Sequence, residues 1–164
     1  MKILYFGGQK SGKSRLAERK ALALAGDQTP RYIATYNTNY ADEEMAQRIA
    51  HHRNERKDRF ETVEETMHLG SVIKEGQTHI IDCMSMWLLN TLEWSEEALL
   101  TELETVFAQD VNVVFVLNNV GSGVIPAEQL SRAYVDRSGI IGQKLAQLCD
   151  EVYEVKLGLE LRLK

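Results

Sequence analysis

The chain is poor in cysteine and proline. Its 164 residues include two cysteines, Cys83 and Cys149, and two prolines. The cysteines are far apart and in no metal-ligand spacing, so neither a disulfide framework nor a zinc site is expected, and reduced thiols in a cytoplasmic setting are the default. Sparse proline, with no repeat and no low-complexity stretch, leaves no linker at which to divide residues 1–164, which read as one domain. No apolar run is long enough to cross a bilayer, and Met1 to Phe6 leads directly into a glycine-rich loop. Neither a membrane span nor a signal peptide is therefore expected. Basic excess is also missing: a net charge of -5 gives no electrostatic reason to expect nucleic acid or an anionic membrane as partner. What is present, 44% hydrophobic and 26% charged residues, suffices for the core of one compact enzyme domain.

The most informative stretch is Gly7-Gly8-Gln9-Lys10-Ser11-Gly12-Lys13-Ser14, between the apolar run Ile3-Leu4-Tyr5-Phe6 and a helical pattern. Gly7, Gly12, Lys13 and Ser14 occupy the fixed places of G-x-x-x-x-G-K-S, a loop whose backbone N–H groups wrap a nucleotide's phosphates. Glycines let the backbone approach the anion with no Cβ in the way, and the start of the next helix adds unpaired N–H groups and a positive dipole end. Lys13 is expected to reach the β- and γ-phosphates, and Ser14 to ligate Mg²⁺. A glycine-rich turn that merely matches is the alternative, but the strand before it and the helix after it are the context the motif requires.

Strand and helix patterns alternate along the rest of the chain. Strands are predicted over 2–6, 31–36, 60–63, 79–83 and 111–117, with one or two more over 151–163. Helices are predicted over 12–25 (closed by Gly26), 42–56, 85–92, 95–107 and 127–148, with a further helical stretch ending at Ile73. Gly139 and Gly142 weaken the middle of the last long helix. The alternation predicts an α/β domain with a mostly parallel central sheet flanked by helices, and a ligand at the carboxyl ends of the strands.

Two further elements carry chemistry. Ile80-Ile81-Asp82 is an apolar strand ending in a carboxylate, the place where phosphate-loop enzymes hold Mg²⁺. Asp82 as cap of the helix near Ser85 is the competing reading. In Arg48-Ile49-Ala50-His51-His52-Arg53-Asn54-Glu55-Arg56, helical spacing puts Arg48, His52 and Arg56 on one face. Like-charge repulsion from the arginines favours neutral, nucleophilic imidazole at His52, and the same arginines attract polyphosphate. On the residues alone a solvated polar face is the better account of this stretch, since charge-rich helix faces are usually that. Adjacent His51 and His52 are poorly placed to chelate one metal.

The order of several pieces is similar to one family over the whole chain. They are the loop GGQKSGKS, YIAT (32–35), DEEMAQRIAHHRNER (42–56) and the Thr62-Val63-Glu64 that follows Phe60. IIDCMSMWLLN (80–90), NNVGSGVIP (118–126) and DEVYEVKLGLELRLK (150–164) complete the set. The chain resembles the bifunctional adenosylcobinamide kinase/adenosylcobinamide-phosphate guanylyltransferases of cobalamin biosynthesis. The resemblance implies a P-loop NTPase-like fold and two reactions. One transfers the γ-phosphoryl group of ATP or GTP to the aminopropanol hydroxyl of adenosylcobinamide. The other moves GMP from GTP onto that phosphate through a covalent GMP-histidine, releasing pyrophosphate and giving adenosylcobinamide-GDP. The family's Arg-Ile-x-x-His-x-x-x-Arg falls on Arg48, Ile49, His52 and Arg56, which makes His52 the implied nucleophile and His51 the runner-up. It also implies nucleotide contacts at Ala34, Thr35, Tyr36, Arg53, Asn54, Glu55, Arg56, Glu64 and Asp82 beside the loop residues, Mg²⁺ held by Ser14 and Asp82, and a trimer.

The chain departs from the family in three places. Where relatives tend to carry Asn-Glu-Val-Gly, it has Asn118-Asn119-Val120-Gly121; a family Asn-Gln pair appears as Gly142-Gln143; and a family tryptophan near Phe60 is absent. An amide is neither a general base at neutral pH nor an anionic Mg²⁺ ligand. Besides the bifunctional enzyme, two readings stay open: a protein with one activity only, either a guanylyltransferase with lost or weak kinase activity or another small-molecule kinase on the same loop, and a non-catalytic nucleotide-binding protein.

Overall fold

A computed structural model describes residues 1–37 and 58–164. The strands are β1 (Lys2–Gly7), β2 (Arg31–Ala34), β3 (Glu61–Glu64), β4 (Thr78–Asp82), β5 (Asn112–Asn118), β6 (Glu151–Lys156) and β7 (Leu159–Arg162). They form one seven-stranded sheet in the order β3-β2-β4-β5-β1-β6-β7. Every neighbouring pair is parallel except the closing hairpin of β6 and β7. The helices are α1 (Lys13–Ala25), α2 (Met84–Asn90), α3 (Glu96–Phe107) and α4 (Gln129–Leu148).

Central parallel strands are covered on both faces, so they read as continuous apolar runs. Val113 to Leu117 of β5 are all fully buried. The two-residue strand period sends Val114 and Val116 toward α1, where they meet Leu16, Ala17 and Ala21. Val113, Phe115 and Leu117 face the other way, into a core with Trp87, Leu103, Ile141 and Leu145 of α2, α3 and α4. Ser95 caps α3, its Oγ accepting the Ala98 N–H at 3.2 Å, with Glu96 and Glu97 in the first turn suiting the dipole. No helix among the described residues is long and apolar enough to cross a membrane.

Element ends differ from the sequence prediction by a residue or two at most places, and by more in a few. The second strand stops at Ala34 because Thr35 turns inward, and the third is Glu61–Glu64. The helical stretch expected up to Ile73 is one 3-10 turn, Leu69–Val72. Here the backbone is claimed by side chains: Glu65 Oε1 accepts the N–H groups of Met67 and His68, both at 2.8 Å, and Glu102 Oε1 accepts that of Gly70 at 2.8 Å. The helix α4 runs unbroken through both glycines, and Gly142 lies so close to β5 that an added Cβ would be 3.3 Å from Leu117 Cδ2. The predicted helix over 42–56 lies outside the described residues.

Candidate nucleotide site

The carboxyl ends of β1 to β6 lie on one edge of the sheet. Register aligns Glu64, Ala34, Asp82 and Val116 in a row across β3, β2, β4 and β5. Gly7 pairs with Asn118 on one side and Val155 on the other. The phosphate loop therefore leaves the sheet between two strands, next to the row that holds Asp82.

Two glycines are required by the geometry. A Cβ on Gly7 would be 2.5 Å from Val155 O and 2.9 Å from Ser11 Oγ. Gly12 has φ 96°, and a Cβ there would be 3.2 Å from Gly158 Cα. The loop is closed by Ser11 N–H donating to Gly8 O at 3.2 Å and braced by the β6–β7 turn, whose Gly158 N–H donates to Ser11 O at 2.8 Å. On the far side, Asn119 N–H donates to Gly7 O at 2.8 Å. The N-cap of α1 is Gly12, with no side-chain cap, so the first-turn N–H groups face the loop without a capping oxygen. Gln9 and Lys10 are exposed at the loop's tip, and Ser14 is half-buried in the first turn.

Lys13 is 7% exposed, and its ammonium donates to Gly8 O at 3.1 Å. Burial lowers its pKa, opposed by the negative charge of Asp82 and by Cys83. Asp82 ends β4 half-buried, and its Oδ2 accepts the Tyr32 O–H at 2.7 Å. It is not the cap of α2, whose N-cap is Cys83 with no side-chain cap bond. Burial pushes the Cys83 thiol up to about 12, so Cys83 stays a neutral thiol.

Thr35, expected among the nucleotide contacts, turns its side chain into the protein. Its side chain is 0% exposed, donating to Cys83 O at 2.7 Å while accepting the Cys83 N–H at 2.9 Å. Asn90 Nδ2 in turn donates to Thr35 O at 2.7 Å and Thr66 O at 3.0 Å. Ser85 Oγ accepts the Asn118 N–H at 2.8 Å, and Tyr134 O–H donates to Ser85 O at 3.0 Å. These bonds lock the ends of β2, β4 and β5 together beneath the loop. Thr35 fixes the backbone that follows Asp82. Ala34 ends β2 next to Asp82, Tyr36 follows two residues on, and Glu64 is exposed across from Ala34. Arg48, His51, His52, Arg53, Asn54, Glu55 and Arg56 lie outside the described residues.

Sequence reasoning missed Tyr32, Ser85 and Gly158. The only signal was a tyrosine within an apolar strand, whose hydroxyl must find a partner when buried. For a metal, the donors that fit are the Asp82 carboxylate and the Ser14 hydroxyl. Both are hard oxygen ligands, and Mg²⁺ is commonly held by one or two carboxylates plus substrate phosphates and water. Among the described residues no three His, Cys, Asp or Glu side chains cluster as a ligand cage, so phosphates and water would complete the shell.

A parallel sheet with a braced G-x-x-x-x-G-K-S loop at its carboxyl edge, a buried lysine and a strand-end aspartate defines a phosphate-loop nucleotide-binding protein of the α/β class. More particularly, the chain belongs to the cobinamide kinase / cobinamide phosphate guanyltransferase family, whose model matches residues 3–163. It is 37% identical over 176 residues to the bifunctional adenosylcobalamin biosynthesis protein CobP of Pseudomonas aeruginosa, covering 100% of this chain and 98% of that protein. Identity to the bifunctional adenosylcobalamin biosynthesis protein CobU of Escherichia coli is 35% over 187 residues, covering 100% of both. Among solved structures, an ATPase domain aligns with 93% of this chain and 68% of its own, at 13% identity and a TM-score of 0.46.

Proposed function

We propose that this chain phosphorylates adenosylcobinamide with ATP or GTP and then transfers GMP from GTP to the resulting phosphate, giving adenosylcobinamide-GDP. The observation that carries the reading is the buried Lys13 ammonium, held at the phosphate loop within the electrostatic reach of Asp82, in a chain that the family spans from residue 3 to 163. In the first reaction the aminopropanol oxygen attacks the γ-phosphorus, the β–γ bridging P–O bond breaks, and Lys13 with the loop N–H groups stabilises charge on the departing diphosphate. In the second, a nitrogen of His52 attacks the α-phosphorus and pyrophosphate departs. An oxygen of the cobinamide phosphate then attacks the same phosphorus, breaking the N–P bond and restoring the imidazole. Asp82 and Ser14 would hold Mg²⁺, which neutralises phosphate charge when bound. Arg53 to Arg56 and Glu64 serve the nucleotide in this reading. Outward-facing Leu157, Leu159, Leu161 and Leu163 support self-association as a trimer, measurable by light scattering.

A second reading, guanylyl transfer with weak kinase activity, is favoured by Asn119. It sits at the loop's flank, bonded to Gly7 O, and brings an amide whose Oδ1 accepts the Ser122 hydroxyl at 3.0 Å. The guanylyl half that both readings share is tested by incubation with GTP labelled at the α- or the γ-phosphate. An acid-labile, base-stable label is expected on the protein from the α-label alone, and His52→Ala should abolish it while leaving GTP binding largely intact. Label mapped to His51 or to a lysine would refute the assignment of His52.

A further inference from the structure

The strands β2 and β4 are parallel neighbours with Tyr32 opposite Ile80 and Ala34 opposite Asp82. Residues two apart on a strand share a face, so Tyr32 and Asp82 both stand on the side covered by α1, one strand and two residues apart. The tyrosine ring spans that diagonal and places its hydroxyl 2.7 Å from Asp82 Oδ2. The ring is itself immobilised: Tyr32 is 3% exposed and meets Phe60 edge-on, with centroids 5.8 Å apart and planes at 80°.

Asp82 has a choice of partners. Its carboxylate raises the pKa of Lys13 through space, and a direct ion pair would take out of use both the ammonium needed by the phosphates and the carboxylate needed by a cation. The ammonium instead bonds Gly8 O, and the carboxylate bonds Tyr32. A terminal carboxylate torsion is broad, so an aspartate at a strand end needs such a contact to hold one orientation. A carboxylate has two oxygens and about four acceptor sites, so one phenol leaves capacity for a cation and its waters.

We propose that Tyr32 is a positioning residue for the nucleotide site: it holds Asp82 by one oxygen, apart from Lys13, and so presents the other to the divalent cation of the bound nucleotide. The proposal rests on the reading that Asp82 serves that cation. Partners one shell out from a metal typically govern 10- to 100-fold of its affinity, and Tyr32→Phe removes the hydroxyl while keeping the ring that packs on Phe60.

The test titrates Mn²⁺, followed by its electron paramagnetic resonance signal, into the complex with guanosine 5′-(β,γ-imido)triphosphate, for wild type, Tyr32→Phe and Asp82→Asn. Tyr32→Phe should raise the Mn²⁺ dissociation constant about tenfold and leave affinity for the analogue in EDTA unchanged. In turnover, the Mg²⁺ concentration for half-maximal rate should rise by a similar factor, with kcat restored by excess Mg²⁺. Unchanged Mn²⁺ affinity in Tyr32→Phe beside a loss in Asp82→Asn would overturn the proposal and leave the metal role of Asp82 standing. Unchanged affinity in Asp82→Asn would overturn that underlying reading as well. Equal loss of analogue affinity with and without metal in Tyr32→Phe would show a packing role and refute positioning.

Discussion

Acidification should destabilise this protein through His79, well before most carboxylates titrate. His79 lies in β4, fully buried, and its Nε2 accepts the Lys74 N–H at 3.1 Å, a bond that only an unprotonated nitrogen can receive. Burial foremost, then the positive charges of Arg31 and Lys2, lower its pKa from the ordinary 6.5 to about 4. Because the folded value lies below the unfolded one, the unfolded chain binds a proton between about pH 6.5 and 4 that the folded chain refuses. Stability is therefore full above the upper value and falls as pH falls through this window. The two values correspond to a loss of about 2 kcal/mol at pH 5 and about 3 kcal/mol at pH 4. Urea unfolding of wild type and His79→Gln at pH 7.5, 6 and 5 isolates the effect, since glutamine retains an acceptor for Lys74 and does not titrate. Wild-type stability should decline relative to the variant by about 2 kcal/mol between pH 7.5 and 5. Parallel pH profiles for the two proteins would refute the assignment of a neutral, buried histidine.

Lys13→Ala should slow both half-reactions by about a hundredfold or more, because the ammonium stabilises charge on the phosphates in the transition state; near-normal steady-state turnover would show that the loop does not hold the reacting nucleotide. Gly7→Ala forces a Cβ to within 2.5 Å of Val155 O. It should lower stability by about 1–3 kcal/mol and weaken GTP binding, both read from thermal melts with and without nucleotide. Asn119→Glu should raise the rate of adenosylcobinamide phosphorylation at least about tenfold if a base is what the wild type lacks. A robust wild-type kinase rate that the substitution leaves unchanged or lowers would separate Asn119 from the chemistry.

Much of the frame was legible in the residues because it depends on short-range physics. Eight contiguous residues make the phosphate loop, and their spacing marks the glycines at 7 and 12, although the backbone that a Cβ would strike there, at Val155 and Gly158, comes from the far end of the chain. The apolar run 111–117 announces a strand buried on both faces, and Ser95 followed by Glu96 and Glu97 announces a helix start. The choice between metal ligand and helix cap for Asp82 was not legible. The structure removes the cap through Cys83 and gives the carboxylate to Tyr32, a residue 50 positions away in sequence. Likewise Thr35, adjacent to the site in sequence, faces inward because the β2–β4 register brings Cys83 over it. The stretch before Ile73 lost its helix to carboxylates at Glu65 and Glu102, the second of which comes from α3. Periodicity and motif chemistry are properties of neighbours along the chain. Which side chain claims a given carboxylate or N–H depends on register between strands joined by long crossovers, and only the assembled sheet sets it.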